Sequence, residues 1–192
     1  MVISNKLGNN ISRSLTDRGL ICEEYRDSYA YCLEFMFDII LFNTSLILIG
    51  FFMHRALLSV IFVLTLTPIK MVAGGAHAGS RLSCEVISYA IFVAVILLSS
   101  FILVNARAEF LISLALCVTI IILTPVEVSD RSAVIANRKR LRIICVIFCA
   151  AALTAETIFL LNGYADCADV IFLCLAVTFI NQIIGLLTIH LL

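Results

Sequence analysis

Residues 86–104 read Val86-Ile87-Ser88-Tyr89-Ala90-Ile91-Phe92-Val93-Ala94-Val95-Ile96-Leu97-Leu98-Ser99-Ser100-Phe101-Ile102-Leu103-Val104. The run carries no charge, no glycine and no proline, and it matches the ~20 residues an α-helix needs to cross a bilayer. Working outward from it, five further apolar runs of similar length lie near 35–53, 56–73, 108–126, 143–161 and 170–192. Lipid offers no partner for backbone N–H and C=O groups, so such spans are helices. The whole chain agrees: of 192 residues 62% are hydrophobic and 14% charged, and the mean hydropathy is +1.14. A soluble domain is about 45–50% apolar and about 25% charged, and a globule this small cannot bury the excess. That balance excludes a soluble enzyme and a disordered chain. Thirteen basic against thirteen acidic residues leave no net field for a nucleic acid. The expected fold is an all-α, polytopic integral membrane protein with about six transmembrane helices.

Only Arg55 and its neighbours separate the first two runs, and Asn105–Arg107 separate the third and fourth, so both pairs are expected as tight hairpins. Longer polar loops fall at 74–85 and 127–142. With the N-terminus in the cytoplasm, eleven of the thirteen basic residues lie on the inner side, leaving Arg55 and Arg107 outside. The positive-inside rule selects that orientation in the plasma membrane, and both longer loops then face the cytoplasm. Residues 1–34 hold no signal-peptide pattern. Ile3, Leu7, Ile11, Leu15, Cys22, Tyr25, Tyr29 and Leu33 recur at helical spacing opposite Lys6, Asn10, Arg13, Asp17, Glu24 and Asp27. The segment 1–34 is therefore expected to be an amphipathic helix on the inner membrane surface, with Gly8 and Gly19 as points where it breaks. Residues 35–192 form the six-helix domain. Eight cysteines show no CxxC pair, and most sit in apolar runs as small hydrophobes. Cys145 and Cys149 share a helix face but have no third ligand, so neither a metal nor a cofactor is expected.

The loop at 74–85 reads Gly74-Gly75-Ala76-His77-Ala78-Gly79-Ser80-Arg81-Leu82-Ser83-Cys84-Glu85. Cysteine is the strongest nucleophile among side chains once a base removes its proton, and histidine is that base near neutral pH. Cys84 and His77 are thus a candidate nucleophile–base pair. On the residues alone they compete with the commoner arrangement, a loop histidine beside a cysteine that starts a helix. Seven residues along one helix separate Cα atoms by ~10.5 Å, too far for a hydrogen bond, so a working pair requires the helix to be broken across 74–79. A helix N-terminus at Cys84 favours an anion there. Ser80 and Ser83 lack the strand-to-helix elbow that activates serine nucleophiles. Arg138, Lys139, Arg140 and Arg142 form a basic cluster for anionic lipid or for an acidic peptide. Within the spans, Asn181 and Gln182 are expected to hydrogen-bond between helices or across a dimer, and Glu156 interrupts the fifth run.

The stretch Gly74-Gly75-Ala76-His77-Ala78 followed by Cys84, in a hydrophobic chain of this size, resembles the accessory gene regulator B family, membrane cysteine endopeptidases that mature quorum-sensing peptides in Gram-positive bacteria. Lys70 stands where the family has a basic residue, usually arginine, before the glycines. Ala76 stands where the family often has an aromatic. The resemblance extends over most of the chain, including the polar N-terminal segment and the basic loop from Pro125 to Arg142. It implies that Cys84 and His77 are the catalytic pair, that Gly74 and Gly75 shape the loop, and that the protein forms a homodimer. It also implies a substrate: a peptide pheromone precursor with an amphipathic leader and an acidic C-terminal tail. Cys84 would attack the bond before the tail, and the thioester would be resolved by ring closure to a thiolactone or lactone. The alternatives are simple hydrolysis to a linear peptide and a non-enzymatic peptide transporter, for which the spans hold few charged groups.

Overall fold

The computed structural model describes residues 2–76, 80–102, 105–126 and 138–191. Its helices are α1 (Val2–Asp17), α2 (Arg26–Phe52), α3 (Ala56–Ala73), α4 (Arg81–Leu98), α5 (Ala106–Leu123), α6 (Arg138–Leu161) and α7 (Ala165–Leu191). Single 3₁₀ turns cover Glu23–Tyr25 and Ser99–Phe101. Among the described residues no strand forms, and one isolated parallel bridge joins Gly74 to Val126. Helices α2 to α7 are each long and apolar enough to cross a membrane, which gives the expected six spans. The protein is a multi-pass membrane protein.

The chain divides into two compact units, 1–49 and 50–192. In the first, α1 ends where the sequence places a break. The Gly19 N–H donates to the Thr16 carbonyl at 2.8 Å and the Leu20 N–H to the Leu15 carbonyl at 3.0 Å. Gly19 has φ +68°, so these are the two bonds of a Schellman stop around a left-handed glycine. Gly8 does not break the helix. It is buried within α1, where a Cβ would meet the Ala30 carbonyl oxygen of α2 at 2.8 Å. Its missing side chain allows two helices to touch, a use that local sequence does not distinguish from a break. Residues 26–34 belong to α2 rather than to the N-terminal helix, because that helix starts at Arg26.

In the second unit α7 packs against α3, α5 and α6. Leu175, Ile171, Ile120, Ile69 and Cys145 are fully buried there, and Phe62 meets Phe92 edge to face at 5.1 Å. Leu64, Leu98, Phe101, Leu111 and Ile122 point outward and are largely exposed. In water such a surface would drive aggregation, whereas in lipid it is matched to the solvent. The turn that leads into α3 is short, as expected: the Arg55 N–H donates to the Gly50 carbonyl at 2.8 Å, with His54 at φ +58°. Pro68 lies inside α3, which runs on to Ala73.

Candidate active-site loop

The C-terminus of α3, the N-terminus of α4, the C-terminus of α5, the start of α6 and the last turns of α7 share one end of the bundle. Helix α3 stops at Ala73, and Gly74 caps it, its N–H donating to the Lys70 carbonyl at 3.1 Å. Gly74 adopts φ +73°, ψ −159°, a region open essentially to glycine alone. Gly75 follows at φ +135°. This pair turns the chain out of the helix and lays it beside the segment after α5. The Val126 N–H donates to the Ala73 carbonyl at 3.0 Å, and the Gly75 N–H donates to the Val126 carbonyl at 3.1 Å. A Cβ on Gly74 would overlap the Val126 carbonyl oxygen, and one on Gly75 would overlap the Asn181 carboxamide.

Helix α7 forms the other wall. The Ala76 N–H donates to the backbone carbonyl of Asn181 at 3.1 Å, and Asn181 Nδ2 reaches the Gly74 carbonyl at 3.5 Å. Gly185 permits this approach, since a Cβ there would stand 2.9 Å from Ala76 N. Gln182 is fully buried. Its Nε2 lies 3.2 Å from the Ala73 carbonyl, 3.4 Å from the Ile120 carbonyl and 3.3 Å from Thr124 Oγ1. The expected interhelical hydrogen bonding of Asn181 and Gln182 is thus present within the chain.

Cys84 lies in the first turn of α4, half-buried. Ser80 caps that helix: its Oγ accepts from the Ser83 N–H at 3.1 Å, the two hydroxyls are 2.7 Å apart, and the Cys84 N–H donates to the Ser80 carbonyl at 3.1 Å. The Ser80 hydroxyl thus serves as the cap, and the Ser83 hydroxyl bonds to it. His77 lies outside the described residues, three positions after Gly74 and one after the anchored Ala76. The helix break that a His77–Cys84 pair requires is present, because α3 ends at Ala73 and α4 begins at Arg81.

Lys70 is half-buried in the last turn of α3, where a cation suits the helix dipole. Arg138, Lys139 and Arg140 are exposed in the first turn of α6. A basic first turn opposes the dipole, so these residues are not there to stabilise the helix. Arg142 separates from the cluster in role. Its Nε donates to the Thr124 carbonyl at 2.8 Å and its Nη2 to the Ile122 carbonyl at 3.3 Å, closing the C-terminus of α5. The sequence reading missed Gly185, Thr124 and this capping role; the only signals were a glycine in an apolar span and a Thr-Pro pair at a span end.

At the opposite end, Arg55 bridges α3 to α7 through Asp166 Oδ2 at 3.2 Å and reaches Ser100 Oγ at 2.9 Å. An open cleft there is lined by His54, Arg55, Tyr164 and Asp166. It is separated from Cys84 by the length of α3, about 27 Å. Buried acids also lie on this side: Glu156, which the sequence already marks within the fifth run, is joined by Glu109 and Asp169, which escaped the sequence reading; each is at most 4% exposed, and Ser113 Oγ donates to Glu156 Oε1 at 2.7 Å. Among the described residues no group of metal-ligating side chains is arranged to hold an ion.

No curated protein and no solved structure matches the chain at a significant level. The model of the family described as accessory gene regulator B matches residues 3–187. That match covers nearly the whole chain, and it includes both walls of the Gly74–Ala76 anchor as well as Cys84. The family acts in quorum-sensing peptide processing at the membrane, and this chain belongs to the accessory gene regulator B family.

Proposed function

We propose that this protein is a cysteine endopeptidase of the cytoplasmic membrane surface that removes the C-terminal tail of a quorum-sensing peptide precursor and promotes ring closure of what remains. The observation that carries the reading is the broken helix: Ala76 is fixed to α7, and Cys84 stands in the first turn of α4, with His77 in the short connection between them. Cys84 is the nucleophile. His77 takes the thiol proton as Sγ attacks the carbonyl of the peptide bond before the tail. The C–N bond breaks, and His77 returns the proton to the leaving amine. A thioester joins the pheromone segment to Cys84. A cysteine thiol or serine hydroxyl within the pheromone gives its proton to His77 and attacks that thioester carbonyl, and the C–S bond to Cys84 breaks; the Cys84 thiolate takes the proton back from His77, which leaves the thiolactone or lactone and the free enzyme. Acyl transfer to the ring rather than to water requires a site from which water is kept out.

The N-terminus and the loops at 74–85 and 127–142 are assigned to the cytoplasm, on the strength of the basic residues gathered there. Arg138, Lys139 and Arg140 receive the acidic tail; their exposure at the same bundle end as Cys84 supports this. The test is co-expression with a candidate precursor, a short peptide with an amphipathic leader and acidic tail encoded beside this gene, followed by mass spectrometry. Tail loss with the wild type and none with Cys84→Ala or His77→Ala is expected, with a product lighter by one water than the linear peptide. A linear product indicates hydrolysis alone. Cleavage that survives Cys84→Ala, or export of intact precursor, overturns the proposal.

A further inference from the structure

We infer that Gln182 is a positioning residue for the reacting loop, acting through the backbone at Ala73–Ala76 rather than by touching the substrate. The inference rests on the cysteine-peptidase reading above. Three separate pieces of chain have to meet for Ala76 to be fixed: the end of α3, the segment after α5 and the last turns of α7. Gln182 is the one described side chain that bonds to the first two from the third. Its Nε2 stands between the Ala73 carbonyl, the Ile120 carbonyl and Thr124 Oγ1, at 3.2, 3.4 and 3.3 Å. A carboxamide has two N–H bonds, so three acceptors share them, and rotation away from one partner is opposed by the others.

The shared acceptor explains the reach of this residue. The Ala73 carbonyl receives both Gln182 Nε2 and the Val126 N–H, and Val126 in turn accepts from Gly75 at 3.1 Å. One residue further on, Ala76 is tied to the carbonyl of Asn181, the neighbour of Gln182. The web is buried, with Gln182 and Thr124 both 0% exposed, so water does not substitute for a lost partner. His77 follows directly. A displacement of about 1 Å at a reacting group costs on the order of 100-fold in rate, so the fixed Ala76 backbone is the point through which Gln182 acts on catalysis.

The test uses the full-length protein in vesicles of anionic and zwitterionic phospholipid, with the precursor as substrate. Gln182→Met keeps the length and removes every donor. Single-turnover cleavage is expected to fall by roughly 10- to 100-fold, with KM for the precursor within about twofold because no substrate contact is lost. The pH profile of Cys84 alkylation by a small maleimide is expected to move toward that of the His77→Ala variant. The independent variant Thr124→Val, which removes one acceptor, shifts rate and profile in the same direction by less, and it serves if Gln182→Met does not assemble. Wild-type rate and wild-type alkylation profile in an assembled variant overturn the inference. A rise in KM that accounts for the whole loss does so too. Cys84→Ala is run beside them: cleavage by that variant brings down the peptidase reading itself, whereas an inactive Cys84→Ala beside a fully active Gln182→Met brings down only the role of Gln182.

Discussion

Gly74→Ala tests whether the anchored loop is what activity depends on. Two terms set its magnitude. Gly74 sits at φ +73°, ψ −159°, and a side chain in that region costs about 1–3 kcal/mol. The new Cβ also overlaps the Val126 carbonyl oxygen. That atom is backbone and cannot rotate aside, so relief means parting Val126 from Gly74. Parting breaks the bonds Val126 N–H to Ala73 and Gly75 N–H to Val126, each worth about 1 kcal/mol net. Together they favour the undocked loop by about 3–5 kcal/mol relative to the wild type. If docking is what aligns His77 with Cys84, cleavage falls by roughly 100-fold or more. The matched control is Gly163→Ala. Gly163 has φ +78°, but a Cβ there meets nothing within 4 Å. It carries the backbone strain without the overlap, in the turn before α7 at the other end of the bundle. Precursor cleavage by mass spectrometry is measured for both variants, with helical content and thermal unfolding in detergent. The expected pattern is a large loss of cleavage with near-normal helix content for Gly74→Ala, and a small stability loss with normal cleavage for Gly163→Ala. Gly74→Ala cleaving within a fewfold of wild type refutes the reasoning, as does an equal loss for the two variants.

Three other outcomes follow from the geometry. Ser113→Ala removes the donor to buried Glu156 Oε1 and should lower stability by about 1–3 kcal/mol, read as a lower Tm with cleavage per folded molecule unchanged. Arg55→Ala breaks an ion pair whose side chains are 41% and 54% exposed; the cost should stay below about 1 kcal/mol, and a larger drop in Tm contradicts this. Reversing the charge of Arg138, Lys139 and Arg140 together should raise KM for a precursor with an acidic tail and invert the salt dependence of its binding, since salt then screens repulsion instead of attraction; unchanged KM removes tail recognition and leaves anionic lipid as their partner.

The spans were legible because hydropathy is additive along the chain. Residues 86–104 need no neighbour to be recognised as a helix for lipid, and the tight turn at Arg55 follows from how little polar sequence separates two such runs. Gly19 was legible as a stop for the same local reason. Gly8 was not, since a glycine that ends a helix and one that lets another helix approach look alike until the neighbour is known. Arg142 illustrates the same limit: it reads as one of four basic residues, and only the position of α5 makes it a cap.

For the reacting loop, the sequence by itself supplied the residue types, Gly74-Gly75-Ala76-His77 and Cys84, and the requirement that the helix break between them. It could not supply what holds the break in place. The partners of Ala73–Ala76 are the backbone of Val126 and, still farther along the chain, Asn181 and Gln182, with Gly185 leaving room for the approach; these last three are polar or small in a stretch that otherwise reads as membrane span. Hydropathy registers such residues only as weak points in an apolar run. Their meaning is set by which helices pack together: α7 lies against both α3 and α5, where unpaired backbone carbonyls at helix ends have to be satisfied away from water. Composition and periodicity determined that this chain is a bundle of membrane helices with a cysteine and a histidine at one end. Tertiary packing alone decided that one buried carboxamide and three close-contact glycines would fasten that end together.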